Sequence, residues 1–237
     1  MAFNLLKKFS TSYIVYRFHQ LFYFKQIIIR DGFKFIIDKK LIPLYNLKGI
    51  ITRYKNHEKD ERLLIKKYLK QYNTLELGCS IGILSLYIKK IIKNKKLISI
   101  DGNNKAIEYT RKIFKINSID NYDLINHKIG GDGFTVDQNN FLSSRNNKKK
   151  YEFQKSKKLL NSIIKKNNIK NLIIDIEGME EHIFDFLELG EILFIFIEFH
   201  PDLYLRSTKK QIILKIESFN FSILSRVNEN YCFCKNI

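Results

Sequence analysis

Residues 74–82 have the sequence Thr-Leu-Glu-Leu-Gly-Cys-Ser-Ile-Gly, and an apolar pattern with helical spacing follows at once. The first four residues predict a short strand, and Gly78 allows the sharp turn that would end it. Gly82 allows the next helix to approach a ligand closely, with the N–H groups of its first turn available to polar atoms. Two glycines can also mark a turn without any ligand, so the motif alone does not establish a binding site.

Strands and helices alternate beyond this loop. Helices are predicted at His57–Tyr72, Gly82–Ile92, Lys105–Asn117 and Thr208–Ser218. Strands are predicted at Thr74–Leu77, Lys96–Ile100, Asp123–His127, Asn171–Ile176 and Ile192–Phe199, with a terminal hairpin from Phe221–Ser225 and Tyr231–Cys234. The continuous apolar run at 192–199 is typical of a strand buried on both faces. The alternation predicts an α/β fold whose doubly wound, mostly parallel sheet has helices on both sides.

The 237 residues have room for one such domain and an extension. Residues 1–55 are predicted as a basic, aromatic extension, helical over 2–30 and irregular over 31–47, and residues 56–237 as the domain. The extension could lie on a membrane surface, or it could pack against the domain or a partner subunit, which we favour. Residues 138–158 are polar and basic, and they predict a mobile surface loop with a short strand near Tyr151–Phe153.

The charge of the chain is uneven. The net charge of +18 is concentrated in residues 1–72 and 139–170, whereas residues 171–237 are net acidic. Such asymmetry fits an anionic partner, but lysines that keep an isoleucine-rich protein soluble explain it equally well. The three cysteines form no disulfide framework and no metal-binding pattern. No signal peptide or transmembrane span is evident, so we expect a cytoplasmic protein with at most peripheral membrane contact through residues 1–30.

A carboxylate closes the second predicted strand. Asp101 lies about 20 residues beyond the glycine loop, the spacing at which an acid meets a ribose diol in nucleotide-binding folds. The alternative is that it caps the helix that follows. The loop has the pattern G-x-x-x-G and lacks the third glycine needed around a pyrophosphate, which favours S-adenosyl-L-methionine as the cofactor. The predicted cofactor-binding residues are Glu76, Gly78, Ser80, Gly82 and Asp101; Glu76 would accept from the cofactor's amino group or support the loop.

Acids also cluster after the later strands. Asp175, Glu177 and Glu180 follow one buried strand, and Glu198 and His200 end the next. An unpaired buried charge costs several kcal/mol, so a partner or a function is expected for them.

The candidates for a general base in this cluster are Asp175, Glu177 and His200. Asp175 is the first choice through its position, while a histidine titrates nearest to neutral pH. Asp175 and a neighbouring carboxylate could share a divalent metal, but the sequence shows no metal-ligand spacing that supports one. No metal is therefore predicted.

From about Asp60 to Pro201 the chain resembles the FkbM-type methyltransferase family. The resemblance is carried by the Glu76–Gly82 loop, Asp101, the D-x-E-G-x-E motif at Asp175–Glu180, and Glu198. Cys79 and Ser80 depart from the family's alanine and asparagine, and Gly102 departs from its proline. The resemblance implies a Rossmann-like class I methyltransferase fold with a mostly parallel seven-stranded sheet and a C-terminal antiparallel hairpin. It also implies O-methylation of a sugar, glycan or secondary metabolite.

Two other functions stay open. A nucleic-acid methyltransferase is the weaker one, because the chain has no adjacent prolines and no Pro-Cys pair. A non-catalytic module that holds a membrane or partner through its basic arm would keep the fold and lose cofactor binding. The acceptor and the oligomeric state are not predicted.

Overall fold

The computed structural model describes residues 26–38, 41, 50, 58–130, 134–136, 144–146, 153–204 and 206–236. Its strands are β1 (Gln26–Arg30), β2 (Phe33–Ile37), β3 (Thr74–Leu77), β4 (Leu97–Asp101), β5 (Tyr122–Asn126), β6 (Phe134–Val136), β7 (Ser144–Asn146), β8 (Asn171–Ile174), β9 (Phe194–Glu198), β10 (Phe221–Val227) and β11 (Asn230–Lys235). Its helices are α1 (Lys59–Tyr68), α2 (Ile83–Ile92), α3 (Asn104–Ile116), α4 (Phe153–Lys166), α5 (Glu180–Ile183) and α6 (Arg206–Ser218). Apart from the short strand near Tyr151–Phe153, the predicted strands and helices of the domain are therefore present, with their ends displaced by a few residues.

The central sheet has seven strands in the order β10-β11-β9-β8-β3-β4-β5. β3 pairs in parallel with both β4 and β8, and β9 and β5 extend the parallel set on either side. β11 runs antiparallel to β9 and to β10. The predicted mostly parallel sheet with a C-terminal antiparallel hairpin is confirmed. The chain passes from β3 to β4 on one side and returns to β8 on the other, so the strand order reverses between β3 and β8.

Apolar side chains cover both faces of this sheet. Along β8, Leu172 and Ile174 belong to one buried cluster, whereas Ile173 belongs to the other. β9 alternates in the same way, with Ile197 on one side and Phe196 on the other. This period of two is what a strand between two helical layers requires. The prediction that residues 192–199 hold a strand buried on both faces is confirmed.

The N-terminal prediction is wrong where the structure describes that region. Residues 26–30 form a strand and not a helix, and residues 33–37 form its antiparallel partner instead of irregular chain. Asp31 and Gly32, both with positive φ, make the two-residue turn between them. A β-branched run beside an Asp-Gly pair favours this hairpin, and that signal outweighs the helical one. Residues 2–25 lie outside the described residues.

The hairpin β1–β2 packs on the domain. Phe35 and Ile37 are buried in the same apolar cluster as α3. The Tyr109 hydroxyl of α3 donates to the carbonyl oxygen of Ile36 at 2.9 Å. No helix within the described ranges is both long and apolar enough to cross a membrane.

The structure also corrects the basic segment 138–158. Phe153 begins helix α4, so the short strand predicted there is wrong at that residue, and Tyr151 lies outside the described residues. Ser144–Asn146 instead forms β7, which pairs with β6. In α4 the buried residues Leu160, Ile163 and Ile164 follow the 3.6-residue period of an amphipathic helix.

Candidate functional site

Four neighbouring parallel strands each carry an acid toward the carboxyl edge of the sheet. In sheet order these are Glu198 on β9, Asp175 just after β8, Glu76 on β3 and Asp101 on β4. The edge includes the switch point between β3 and β8, where open α/β sheets bind their ligands. Acidic side chains are thus concentrated at the place where the topology predicts a binding site.

The two glycines of the loop are required by contacts inside the protein. Gly78 has φ +88°, and a Cβ added there would lie 1.6 Å from the carbonyl oxygen of Asp175. Gly82 has φ +72°, and its Cβ would lie 2.6 Å from Cγ2 of Thr110. Close packing of β3 against β8 and of α2 against α3 therefore explains both glycines. A ligand is not needed to account for them.

Backbone N–H groups hold the carboxylate of Asp101. Ser80 N donates to Oδ2 and Asn103 N donates to Oδ1, each at 2.7 Å. Burial raises the pKa of Asp101 to about 6, although these two bonds oppose the rise. The alternative that Asp101 caps the next helix is wrong, because the Asn103 side chain accepts from Lys105 N and Ala106 N. Asp101 stays partly exposed at the end of β4.

Glu76 ties the glycine loop to its surroundings. Its Oε2 accepts from the Ser85 hydroxyl of α2 at 2.7 Å and from the Ser99 hydroxyl of β4. Its Oε1 is buried, and no described residue forms a hydrogen bond with it. Burial raises the pKa of Glu76 to about 7, against the effect of the two serine hydroxyls. The Ser80 hydroxyl nearby is likewise buried without a partner among the described residues.

His200 lies between two of the predicted acids. Its Nδ1 is 2.7 Å from Oε1 of Glu180, and its Nε2 is 3.5 Å from Oδ1 of Asp175. Glu180 is fully buried, and its Oε2 accepts from Gly178 N at 2.8 Å. Burial opposes a charged imidazole, but the hydrogen bond to Glu180 and the charges of Asp175, Glu180 and Glu198 raise the pKa of His200 to about 9.

Asp175, Glu198 and His200 come together in space. One ligand atom from each lies within 4.8 Å of the others. Burial raises the pKa of Asp175 well above its ordinary value, and the charge of Glu198 adds to the rise. The sequence spacing could not reveal this group, because its members follow two different strands. Glu177 lies in the turn after β8 with φ +38° and is not part of the group of three.

The sequence predicted Glu180 as one of the clustered acids but gave it no role in the site, and it did not single out Glu61 at all. Glu61 is 3% exposed, and neither of its carboxylate oxygens has a hydrogen-bond partner among the described residues. The sequence could have predicted the burial of Glu61, because it lies three and four residues before Leu64 and Ile65 and therefore on the same, buried face of α1.

The sheet order, with β11 antiparallel, is the predicted Rossmann-like class I methyltransferase fold. No protein-family model matches the sequence, and no curated protein matches it significantly.

Three solved structures have a similar fold at low sequence identity. One is a fibrillarin/Nop5p complex (TM-score 0.47, 11% identity, 76% of this chain and 81% of that chain). Another is TYW2 from M. jannaschii in complex with AdoMet, with a TM-score of 0.46 and 13% identity over 88% of this chain and 83% of that chain. The third is an rRNA methylase from Streptococcus thermophilus, with a TM-score of 0.42 and 14% identity over 75% of this chain and 95% of that chain. Likenesses this distant do not say what the present chain binds.

Proposed function

We propose that this chain is an S-adenosylmethionine-dependent methyltransferase of the FkbM type that methylates a hydroxyl group of a sugar, glycan or secondary metabolite. One observation carries the proposal: acceptor atoms at the carboxyl end of β3 are buried, and no described residue forms a hydrogen bond with them. They are Oε1 of Glu76 and Oγ of Ser80. A buried acceptor without a donor is costly, so a ligand that brings donors and positive charge would stabilise this edge.

The positive charge and the hydrogen-bond donors of the cofactor match these acceptor atoms. Its ammonium group would meet the unpartnered Oε1 of Glu76, and its ribose hydroxyls would donate to Asp101. That carboxylate is held in place by Ser80 N and Asn103 N, and each of its oxygens retains a lone pair for a further donor. The cofactor carries no phosphate, which agrees with a loop whose glycines serve packing within the protein.

For methyl transfer the protein has to hold the acceptor hydroxyl in line with the methyl group and remove the proton of that hydroxyl. When bound, the sulfonium supplies an already activated methyl group. Asp175 is our choice for the base that takes the proton of the acceptor hydroxyl, because it ends β8 beside the cofactor loop. Glu177 and His200 are the other candidates, and His200 lies near enough to orient the Asp175 carboxylate. General-base catalysis of this kind contributes about 10²–10⁴-fold.

Calorimetric titration of the full chain with S-adenosylmethionine tests the cofactor. Asp101→Ala should weaken binding at least tenfold, because a charged hydrogen bond contributes about 1.5–3 kcal/mol. Asp123→Ala is the matched control: this aspartate lies on the neighbouring strand β5, half exposed and paired with Lys96 at 2.8 Å. We expect the control to bind as the wild type does. Equal affinities in both variants would show that Asp101 does not hold the ribose.

The same titration separates the enzyme from a non-catalytic module. A module that only holds a membrane or a partner would give neither heat nor a thermal shift with the cofactor. If binding is found, methyl transfer from labelled cofactor to candidate hydroxyl acceptors, with sugars and glycans first, tests the acceptor class. Transfer to nucleic acid and to no hydroxyl metabolite would contradict the second half of the proposal.

A further inference from the structure

We propose that Asp175, Glu198 and His200 form a binding site for one divalent cation at the carboxyl ends of β8 and β9. The site consists of side chains of this chain and does not require a bound cofactor, although it shares Asp175 with the proposed methyltransferase site. Its position beside the glycine loop would place the cation at the rim where an acceptor must lie.

The spacing of the three groups suits a cation. A ligand atom stands about 2.1 Å from an ion such as Zn²⁺, so two ligands are about 3.0–4.2 Å apart. The Nε2 of His200 and Oδ1 of Asp175 are 3.5 Å apart, within that range. The whole set, including a Glu198 oxygen, lies within 4.8 Å, so a small inward shift of side chains completes the geometry.

His200 is oriented as a metal ligand would be. Its Nδ1 is hydrogen-bonded to Glu180, and Glu180 is fixed in turn by Gly178 N. In protein metal sites the second ring nitrogen of a ligating histidine almost always donates to a carboxylate or carbonyl, which sets the tautomer. With Nδ1–H donated to Glu180, Nε2 faces Asp175, and a bound cation would take the place of the Nε2 proton. Oδ1 of Asp175 accepts no hydrogen bond from any described residue.

Glu61 is an independent sign that a cation belongs here. It enters from α1, which packs against β9 and β11, so it reaches the cluster from a different element. The side chain is 97% removed from solvent, and neither carboxylate oxygen is bonded within the described part of the chain. Among its charged neighbours Asp175 acts on it most strongly, and Glu198 also acts on it. Burial of a carboxylate near two others is strongly unfavourable while all three are ionised, and a shared cation would relieve it.

The donor set indicates the kind of cation. Two or three carboxylates with one imidazole combine oxygen and nitrogen ligands and no thiolate. Hard ions such as Mg²⁺ and Ca²⁺ prefer oxygen alone, whereas imidazole suits first-row transition ions. We therefore expect Mn²⁺ and Zn²⁺ to bind more tightly than Mg²⁺ does.

The test uses the full chain, freed of metal with a chelator, and Mn²⁺ as the probe. Loss of the paramagnetic resonance signal of free Mn²⁺ should reveal one bound ion per chain. His200→Ala should weaken binding at least tenfold, and Glu180→Gln, which keeps all three ligands, should weaken it about 10–100-fold. His182→Ala is the matched control, since His182 is also flanked by acids, at 3.1 and 4.0 Å, but on α5 outside the cluster.

Each outcome decides the matter. No binding of Mn²⁺ or Zn²⁺ by the wild type at millimolar concentration overturns the site, whether or not any variant folds. Equal loss in His200→Ala and His182→Ala, with circular dichroism showing both folded, places any bound ion elsewhere and overturns it too. A wild type that binds S-adenosylmethionine but no metal refutes this inference and leaves the proposed function standing. A wild type that binds the metal but not S-adenosylmethionine refutes the proposed function and supports the cation site.

Discussion

Replacing Glu76 with glutamine should stabilise the protein at neutral and alkaline pH. The folded state raises the pKa of Glu76 from 4.5 to about 7, chiefly because the carboxyl is buried beside Ser85 and Ser99. Each pKa unit corresponds to about 1.4 kcal/mol, so keeping this group ionised costs the folded state about 3 kcal/mol. A neutral glutamine keeps an acceptor oxygen for the two hydroxyls and does not bear that cost.

The sign follows from proton binding. The folded state holds the proton of Glu76 more tightly than the unfolded state does. The contribution of Glu76 to stability is therefore fully present below about pH 4.5 and is lost as the pH rises through about 7. Between pH 5.5 and pH 8 the free energy of unfolding of Glu76→Gln should rise by about 2 kcal/mol relative to the wild type. Other titrating acids, including Asp101, occur in both proteins and largely cancel in the comparison.

Urea unfolding followed by circular dichroism at those two pH values measures the effect. Glu217→Gln, exposed on α6, is the matched control and should follow the wild type at both. The same Glu76→Gln protein should bind S-adenosylmethionine more weakly, since the ammonium group loses a charged acceptor. Stability curves for wild type and Glu76→Gln that stay parallel across this pH range would refute the buried-charge reasoning. Unchanged cofactor affinity would refute only the contact with the ammonium group.

Two further substitutions test the loop and the base. Gly78→Ala should destabilise the fold by more than about 4 kcal/mol in thermal unfolding, because the new Cβ would overlap the Asp175 carbonyl, whereas Gly190→Ala meets nothing within 4 Å and should be harmless. Similar melting temperatures for the two would contradict the contact. Asp175→Asn should lower kcat about 10²–10⁴-fold with little change in cofactor affinity. Asp185→Asn, at an exposed position just after α5, should leave kcat unchanged. A kcat within twofold of wild type would exclude Asp175 as the base.

Much of the fold was predictable because the domain's local signals agree with one another. Short apolar strands alternate with amphipathic helices, and that alternation permits few arrangements other than a doubly wound sheet. The N-terminal prediction failed where two signals competed. Aromatic and basic residues favoured a helix over 2–30, while Ile27–Ile29 beside Asp31-Gly32 favoured the hairpin that the structure shows. The β-branched run prevailed because β2 could bury Phe35 and Ile37 against α3.

The acids at the strand ends were predictable for a simple geometric reason. Parallel strands share a carboxyl edge, so residues such as Asp101 and Asp175 must converge there whatever the helices do. The contacts among side chains were not predictable in the same way. His200 lies 20 residues from Glu180 along the chain, so only the packing of the segments that follow β8 and β9 determines that they meet.

In this structure the acids at the strand ends, and not the glycines of the loop, are the residues that favour a bound cofactor. Gly78 and Gly82 are accounted for by the Asp175 carbonyl and by Thr110, so in this chain a glycine loop alone does not indicate a ligand. Glu76, Glu61 and Asp175 each have a buried oxygen that accepts no hydrogen bond from any described residue. Positive charge can relieve this edge in two places: a sulfonium and ammonium ligand beside β3 and β4, and a metal ion between β8 and β9. Because the two places use different side chains, Glu76→Gln should weaken only the first ligand and His200→Ala only the second.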